Sequence, residues 1–521
     1  MTAPAWNSIR DVTLGQPQRA APTVTLEFAN HPGHKLNLCI LCFLWHFVFL
    51  MTIAIKGIGL ATAQGNAADI LASSSLRAAG ELPWSASKSN ISRVCFRAAG
   101  LDSSLSDVAR WQALVKKALA EIGDSGKTPL LVASCNGSAG EYWEEAFDTT
   151  SLFAGTSWAN DDLPVFSSSC ASGIHALYAA RALLTSGAVT EVLVLAADIL
   201  ARSNHENFES LRVLAEKPSA PWQSSSSGFI LGEAAVVLRL VRSQNYQAET
   251  ALQGPALASD LIDYDGLSGV IDALSPVNPA LILGQGTGPY ANDSAELAAF
   301  AASVDKNVPV ATPLTNFGHT LGASSLLSIA LAAVLPTLAN SPEITTDGRT
   351  ICMGGPPWPP QPRSKNVLAT CRALNGACAA TAVGNFSPAT APRREVGWSR
   401  SAIPGPLMNP TIKRLASEAY EQQPADPPDI LILRLEKPLA PPSSAIIGGR
   451  LLPSAVLEIT PGFASQLIAR CWGYSGPALC LVGNVDADPY GLTTALRESG
   501  ANVFQVNLRG NGDNRAIEWN V

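Results

Sequence analysis

Cys170 is a candidate nucleophile because of its position in the sequence. It follows three serines, Ser167 to Ser169, and precedes the run "GIHALYAARALLTSG", whose apolar residues fall on one helical face. The unpaired N–H groups and the dipole at the start of a helix favour a thiolate, the reactive form of cysteine. A buried structural cysteine fits the same stretch, because free cysteines are often buried. The stretch by itself leaves both interpretations open.

His319 is a second candidate, and it lies between glycines in "NFGHTLGASS". A run rich in alanine and leucine follows, so the histidine is predicted to lie at a helix start. A neutral imidazole in that position can hydrogen-bond to a thioester carbonyl and stabilise an enolate. Cys170 and His319 together indicate acyl-transfer chemistry.

Alternating strands and helices are predicted to position these two residues. The runs "TPLLVASC", "EVLVLAADI" and "GFILGEAAVVLRLV" are typical of buried strands, and "VARWQALVKKALAEIG" is typical of a helix. Continuous apolar strands between helices predict an α/β architecture whose sheets are covered on both faces. The Gly-rich runs "GIGLAT" and "GQGTGP" lack the further residues of nucleotide-binding motifs, so we expect no bound cofactor.

The composition narrows the class of protein. Apolar residues make up 47% of the 521 residues and charged residues 15%, which favours a large buried core. The formal net charge is −7 and the basic residues are not clustered, so we expect no nucleic-acid partner. Cys39 and Cys42 form a C-x-x-C pair without a second pair at zinc spacing, so we expect no metal site. A reduced, cytoplasmic protein is the default interpretation.

The apolar segment from Leu36 to Ile55 departs from this picture. It is nearly uncharged and long enough to cross a bilayer. The run that begins at Met51 is typical of the first strand of a globular domain, so residues 1–50 are interpreted as an N-terminal extension. A membrane anchor and a buried helix are the alternatives for this segment.

Four segments resemble, in order, those of a β-ketoacyl synthase of the thiolase-fold superfamily. They are "SSSCASG" (167–173), "APWQSSSSGFILGEAAVVLRL" (220–240), "GQGTGPYANDSAE" (284–296) and "NFGHTLGASS" (316–325). The resemblance implies a thiolase-like, five-layered αβαβα fold of two related halves, residues 51–245 and 246–384. The Pro-rich residues 385–428 are predicted to form a linker after the second half.

The resemblance also implies a reaction and its catalytic residues. The reaction is decarboxylative Claisen condensation of an acyl thioester, held on Cys170, with malonyl-acyl carrier protein in fatty acid, polyketide or polyene biosynthesis. Gln285 stands at the position of the family's first histidine, and His319 stands at that of the second. These two side chains are the expected donors that polarise the extender thioester.

The resemblance further implies the surroundings of the nucleophile and the partners. The backbone N–H of Cys170 and one from the Asn375–Gly376 loop are the expected oxyanion hole, and Leu374 and Phe229 are expected to line the pocket. The implied partners are acyl carrier protein and a second subunit, in a homodimer or in a heterodimer with a chain-length-factor-like subunit.

Three departures from the family pattern leave the reaction open. Gln285 replaces the first histidine, Leu314 replaces a lysine, and "ALNGACA" (373–379) replaces a Gly-Phe-Gly-Gly-Thr-Asn loop. An amide donates a hydrogen bond but does not exchange a proton near neutral pH. A non-elongating thiolase-fold acyltransferase and a non-catalytic chain-length-factor-like partner subunit therefore stay as alternatives.

The last part of the chain resembles a truncated second copy of the first half. At a constant offset of 313 residues Pro164 meets Pro477, and Cys170 meets Gly483. Residues 429–521 are therefore predicted to be a partial, degenerate ketosynthase-like α/β segment without a nucleophile, similar to chain-length-factor-like subunits. A chance alignment of two strand–helix–strand units is the alternative.

Overall fold

The computed structural model describes most of the chain, and the account below is limited to the residues it describes. These are residues 23–27, 35–39, 52–72, 79–81, 94–102, 104–123, 128–137, 148–159, 161–216, 221–223, 225–243, 250–260, 265–274, 277–334, 343–346, 349–352, 366–384, 407–441, 445–447, 450–510 and 515–520.

The described residues form 22 strands and 13 α-helices. The strands are β1 (Thr23–Glu27), β2 (Lys35–Cys39), β3 (Thr52–Ala61), β4 (Gly80–Glu81), β5 (Val94–Cys95), β6 (Leu130–Ala133), β7 (Val165–Phe166), β8 (Glu191–Asp198), β9 (Ala234–Ser243), β10 (Ala251–Ser259), β11 (Leu281–Leu283), β12 (Val310–Ala311), β13 (Glu343–Thr346), β14 (Arg349–Cys352), β15 (Val367–Arg372), β16 (Ala377–Gly384), β17 (Ile430–Leu435), β18 (Ile446–Ile447), β19 (Arg450–Leu451), β20 (Ala478–Val482), β21 (Val503–Arg509) and β22 (Ala516–Asn520). The helices are α1 (Ala67–Ala72), α2 (Asp107–Ile122), α3 (Thr149–Leu152), α4 (Ser172–Ser186), α5 (Arg202–Ser210), α6 (Asp265–Asp272), α7 (Tyr290–Ser303), α8 (Leu314–Phe317), α9 (Ser324–Val334), α10 (Pro410–Glu421), α11 (Pro453–Glu458), α12 (Pro461–Trp472) and α13 (Leu492–Glu498).

Sixteen of the described strands form one mixed sheet. Its order is β13-β14-β12-β11-β15-β16-β10-β3-β9-β8-β6-β7-β20-β17-β21-β22. Strands β8, β6 and β7 are parallel to one another, and their side chains are almost all buried, as the continuous apolar runs predicted. The antiparallel pairing of β3 with β10, at Ile53 and Leu252, joins the first group of strands to the second.

Two helices that follow the candidate residues form the centre of the core. Helix α4 begins two residues after Cys170, and α9 begins five residues after His319. Most positions of both helices are buried, as expected for helices enclosed by other elements on several sides. Their side chains share one apolar cluster with β8, β9, β15 and β16. The packing of α4 against α9 therefore brings the starts of the two helices together.

The C-terminal strands have the same topology as the first group, as an internal repeat requires. The order β7-β6-β8-β9 is matched by β20-β17-β21-β22. In each set the first three strands are parallel and the fourth pairs in antiparallel fashion with the third. Helices α4 and α13 follow the equivalent strands β7 and β20. A chance alignment of two strand–helix–strand units does not by itself account for the shared position of the fourth strand.

Part of the predicted Pro-rich linker is a helix instead. Helix α10 begins at Pro410, and the Asn409 side chain accepts a hydrogen bond from the Ile412 N–H. Proline suits the first position of a helix, where its missing N–H has no partner to lose. The flanking prolines hid the apolar face that packs α10 against α12. The linker prediction for residues 385–428 is therefore wrong from residue 407 onward, and residues 385–406 lie outside the described residues.

The apolar segment from Leu36 to Ile55 is not one helix. Residues Leu36–Cys39 belong to β2 and residues Thr52–Ile55 belong to β3, while residues 40–51 lie outside the described residues. The anchor and buried-helix interpretations therefore fail at both ends of the segment. No helix in the described part of the chain is both long enough and apolar enough to cross a membrane.

Candidate active site

Cys170 lies on a tight turn between β7 and α4, at the place predicted from the sequence. The turn, residues 167–170, is called the nucleophile turn below. Ser169 has a φ of 53°, a left-handed conformation that reverses the chain before the helix begins. The Ser172 hydroxyl closes the turn, because its oxygen accepts from the Ser168 N–H at 2.8 Å and its O–H donates to the Ser169 carbonyl at 2.6 Å.

His319 contacts the cysteine directly. The Cys170 Sγ and the His319 Nε2 are 3.1 Å apart, and both residues are buried. The His319 Nδ1 accepts a hydrogen bond from the Leu321 N–H at 3.2 Å. In a neutral imidazole the accepting nitrogen carries no proton, so the proton is on Nε2. His319 therefore presents an N–H donor to the space around the cysteine sulfur.

Burial controls the protonation of both groups. Burial raises the pKa of the Cys170 thiol to about 12, although the backbone N–H groups of Leu374 and Cys170 lower it. Burial lowers the pKa of His319 to about 4, so the imidazole is neutral near pH 7. The predicted preference for a thiolate at Cys170 is therefore wrong for this arrangement, because burial outweighs the helix start. The predicted neutral histidine agrees with the geometry.

The loop between β15 and β16 contains the residues predicted for the oxyanion hole and the pocket, Leu374, Asn375 and Gly376. The Gly376 N–H closes a turn on the Ala373 carbonyl at 2.9 Å, and the Asn375 Oδ1 accepts from the Ala377 N–H at 3.2 Å. The backbone N–H of Leu374, in the same loop, lowers the pKa of the Cys170 thiol. The expected oxyanion donor from the Asn375–Gly376 loop stays a prediction, and the Gly376 N–H is engaged within its own turn.

A cavity of about 550 Å³, including its open mouth, connects Cys170 and His319 to the surface. Gln285, Phe229 and Leu374 are among the residues that line it. The ring of Phe229 stacks on the His319 imidazole, with centroids 4.6 Å apart and an interplanar angle of 30°. The Leu374 side chain is exposed, so it stands at the mouth of the cavity rather than at its floor. Asn375 and Gly376 are not part of the lining.

Gln285 is held by the chain on both sides of its amide. Its Nε2 donates to the Cys371 Sγ at 3.1 Å, and its Oε1 accepts from the Arg372 N–H at 3.2 Å. One of its two amide hydrogens is therefore engaged, and the other is left for the cavity. Leu314, at the position of the family's lysine, packs in an apolar cluster with Phe229, so it brings no charge to the site.

Glu296 was not among the residues predicted for the site. It lines the same cavity, and its carboxylate accepts from the backbone N–H groups of Gln285 and Gly286 and from the Trp222 Nε1–H, each at 2.8 Å. Burial raises its pKa to about 7, although these three donors lower it. Glu296 thus fixes the main chain of Gln285. Glu296 lies on α7, eleven residues after Gln285, and no pattern in the sequence marked it as a site residue.

Asp198 was also missed, and it joins the loops on either side of the site. The buried carboxylate accepts from the N–H groups of Cys135 at 2.9 Å and Gly322 at 2.7 Å, and from the Ser134 hydroxyl at 2.6 Å. Burial raises its pKa to about 6, although the same donors lower it. Gly322 lies three residues after His319, so this carboxylate anchors the loop that carries the histidine.

Comparison with known proteins identifies the architecture around this site. Residues 164–245 match the family model for the Beta-ketoacyl synthase, N-terminal domain. Similar solved structures are the ketosynthase ApeO in complex with its chain length factor ApeC from Xenorhabdus doucetiae (20% identity, 64% of this chain and 98% of that chain, TM-score 0.51), the PfaC keto synthase-chain length factor (12% identity, 89% of this chain and 74% of that chain, TM-score 0.63) and the ketosynthase from module 6 of the bacillaene synthase from Bacillus subtilis 168 (13% identity, 72% of this chain and 78% of that chain, TM-score 0.50). The chain has a thiolase-like ketosynthase fold. No curated protein sequence matches it.

The family match covers only part of the site in this ketosynthase fold. Cys170 and Phe229 lie within residues 164–245, whereas Gln285 and His319 lie beyond them. The similarity to the ApeO ketosynthase structure covers 64% of this chain, and the similarity to the PfaC keto synthase-chain length factor covers 89% of it.

Proposed function

We propose that the protein is a β-ketoacyl-acyl carrier protein synthase that condenses an acyl group on Cys170 with a malonyl thioester. The observation that carries this proposal is the 3.1 Å contact between the Cys170 Sγ and the His319 Nε2 at one cavity. A nucleophile beside a fixed N–H donor is what both steps of the reaction need.

Acylation uses the cysteine and two backbone donors. The Cys170 sulfur attacks the thioester carbonyl, and the developing oxyanion is held by the N–H groups of Cys170 and Leu374. The bond between the acyl carbon and the carrier sulfur then breaks. Because the pKa of the thiol is about 12, its proton leaves as the new bond forms and ends on the departing carrier thiol.

Condensation uses the histidine. The bond between the malonyl carbon and its carboxylate breaks, carbon dioxide leaves, and the electron pair forms an enolate. The His319 Nε2–H donates to the enolate oxygen, with the second amide hydrogen of Gln285 as a further donor. The enolate carbon attacks the acyl carbonyl, the carbon–sulfur bond to Cys170 breaks, and the departing thiolate takes a proton from solvent water.

The partners follow from the chemistry of the substrates. Acyl and malonyl groups of this reaction are carried as thioesters on acyl carrier protein, in fatty acid, polyketide or polyene biosynthesis. ApeO is described in complex with its chain length factor, which supports a chain-length-factor-like partner for this chain. We place the protein in the cytoplasm, where its cysteines stay reduced.

A second candidate function is non-elongating acyl transfer. It is favoured by the hydrogen bond from the Gln285 amide to the Cys371 sulfur, which withdraws one donor from the position of the family's first histidine. Such an enzyme needs Cys170 and its oxyanion donors but no decarboxylation. A non-catalytic partner subunit is disfavoured, because it has no use for a cysteine held against a histidine.

One paired assay separates the three functions. The full chain is incubated with labelled acyl carrier protein of several acyl lengths, and the Cys170 peptide is analysed by mass spectrometry. Malonyl-acyl carrier protein is then added and the release of carbon dioxide is measured, with Cys170→Ala as control. Acylation with carbon dioxide release supports the synthase. Acylation alone identifies the acyltransferase, and no acylation identifies a non-catalytic subunit.

A further inference from the structure

The C-terminal copy pairs with the first copy through equivalent strands. Strand β7 is antiparallel to β20, with Phe166 opposite Leu481, and the Ser167 N–H donates to the Cys480 carbonyl at 2.9 Å. Ser167 and Cys480 are also separated by the repeat offset of 313 residues. An antiparallel contact between equivalent residues is what a two-fold axis generates in a symmetric dimer. Here both members belong to one chain.

The same copy presses on the nucleophile turn. Gly462 lies in the first turn of α12, and a Cβ atom there would be 2.6 Å from the Ser168 Cα and 2.8 Å from the Ser167 carbonyl oxygen. It would also be 2.6 Å from the Asn375 Nδ2. Helix α12 therefore contacts the turn that carries Cys170 and the loop that carries the Leu374 N–H at a single point. Only a residue without a side chain fits there.

Further contacts spread the attachment over both halves of the ketosynthase. The Leu130 N–H donates to the Tyr490 hydroxyl at 2.9 Å, and the Ser259 hydroxyl donates to the Gly476 carbonyl at 2.9 Å. Val165 and Val482 lie in one buried apolar cluster. The C-terminal copy is thus docked by apolar burial and by hydrogen bonds, not by the strand pair alone.

We infer that residues 407–520 act as a built-in second subunit. They occupy the edge of β7, and they hold the nucleophile turn and the Leu374 loop in a fixed position relative to each other. An apolar edge strand without this cover is a template for pairing with another chain. The chain therefore supplies its own partner at this edge, where the sequence analysis expected a second subunit of a homodimer or a heterodimer. The positioning role rests on the proposed acylation at Cys170, whereas the occupied edge does not.

The positioning role is tested with Gly462→Ala in the full chain. Its added methyl group pushes on the Ser167–Ser168 backbone and on Asn375, so the two oxyanion donors no longer converge. We expect the rate constant for Cys170 acylation by acyl carrier protein to fall at least tenfold, while the concentration for half-saturation stays unchanged. The half-saturation value is unaffected because none of the described residues of the C-terminal copy lines the cavity.

Gly59→Ala is the matched control for lost stability. A Cβ at Gly59 would be 2.0 Å from the Ala118 carbonyl oxygen, so the clash is as severe but lies between β3 and α2. At a temperature where both variants are folded by circular dichroism, Gly59→Ala should acylate at the wild-type rate. Wild-type acylation by Gly462→Ala, or an equal loss in both variants, overturns the positioning role. Failure of the wild-type chain to acylate would instead overturn the proposed function.

The occupied edge is tested by hydrogen exchange at the Ser167 amide in the full chain. The exchange rate is measured at two protein concentrations, and light scattering reports the mass against the 54.4 kDa of one chain. We expect the same strong protection at both concentrations, because the Cys480 acceptor is in the same chain. Protection that appears only where a dimer forms, or no protection at either concentration, overturns the inference.

Discussion

His319 is arranged as a hydrogen-bond donor and not as a base, and this predicts which step depends on it. Its Nδ1 is occupied by the Leu321 N–H, and its Nε2–H faces the cysteine. Loss of one oxyanion-type donor costs about 3–4 kcal/mol, or roughly 10²–10³ in rate. We expect His319→Ala to lower carbon dioxide release by at least that factor and to leave acylation of Cys170 largely intact. The two rates are measured on the same preparation with malonyl- and acyl-loaded carrier protein.

An equal loss of acylation would contradict this reading. It would mean that the imidazole moves the thiol proton, which its hydrogen bond from Leu321 argues against. Phe208→Leu is a suitable control, because Phe208 lines the cavity without donating a hydrogen bond.

Gln285 provides the second prediction at this scale. Restoring a histidine there returns a full N–H donor and removes the amide that donates to Cys371. We expect Gln285→His to preserve or raise condensation at constant acylation. The check is the ratio of carbon dioxide release to Cys170 acylation. If that ratio falls, the pocket is adapted to the amide, and non-elongating transfer becomes the better account.

His175 is buried in α4 and predicts how stability depends on pH. Neither ring nitrogen has a hydrogen-bond partner among the described residues, and burial lowers its pKa from 6.5 to about 3. Below pH 6.5 the histidine is protonated in the unfolded chain but stays neutral in the folded chain. Protonation therefore stabilises the unfolded state, and the free energy of unfolding falls as the pH decreases from 6.5 toward 3. We expect His175→Leu to lose less thermal stability than wild type between pH 7 and pH 4.5. If the melting temperatures of wild type and His175→Leu fall by the same amount between pH 7 and pH 4.5, the assignment is wrong.

At the scale of elements, the end of β8 holds the active-site loops through Asp198. One carboxylate oxygen accepts from the Cys135 and Gly322 N–H groups, and an amide nitrogen in its place could not. Each stranded buried donor costs about 1–3 kcal/mol. We expect Asp198→Asn to lower the free energy of unfolding by roughly that amount or more, and to slow acylation and condensation together. Urea denaturation measures the first effect, with the exposed Asp426→Asn as control.

Unchanged stability in Asp198→Asn would show that the loops rearrange around the amide. A loss of condensation without any loss of acylation would show that only the His319 loop depends on the carboxylate.

The elements with a clear local pattern were predicted well. Helix α4 and strand β8 follow from their apolar periodicity, and the position of Cys170 follows from the junction before α4. The features that were not predicted depend on contacts between residues far apart in the sequence. Asp198 and Gly322 are 124 positions apart, and burial of Cys170 comes from elements that no local window includes. The engagement of the Gly376 N–H by the Ala373 carbonyl is likewise a feature of the folded turn that the motif did not reveal.

At the scale of the whole molecule, the repeat was readable from the sequence but its placement was not. Matching residues at an offset of 313 predicted a second copy, and the strand order agrees with that prediction. An alignment carries no information on where that copy docks. Its place beside β7 depends on burial in the cluster shared by Val165 and Val482, and on the fit of Gly462.

Removal of the C-terminal copy should therefore destabilise the remainder. A chain that ends at Gly384 exposes the edge of β7 and the apolar side chains that residues 407–520 cover. We expect it to aggregate or to self-associate through β7, whereas the full chain stays dispersed at the same concentration. Sedimentation velocity distinguishes the two states. A dispersed monomer ending at Gly384 would contradict this expectation.

The pairing of β7 with β20 inside one chain has a consequence for dilution. Two separate subunits come apart as their concentration falls below their dissociation constant, and activity is lost with them. Two copies joined by a chain keep a fixed, high effective concentration of each other. Turnover per molecule should therefore be constant down to nanomolar enzyme, without the lag that reassembly produces. The second copy has Gly483 at the position of Cys170, so the proposed acylation has one cysteine per molecule and no twin site to cooperate with.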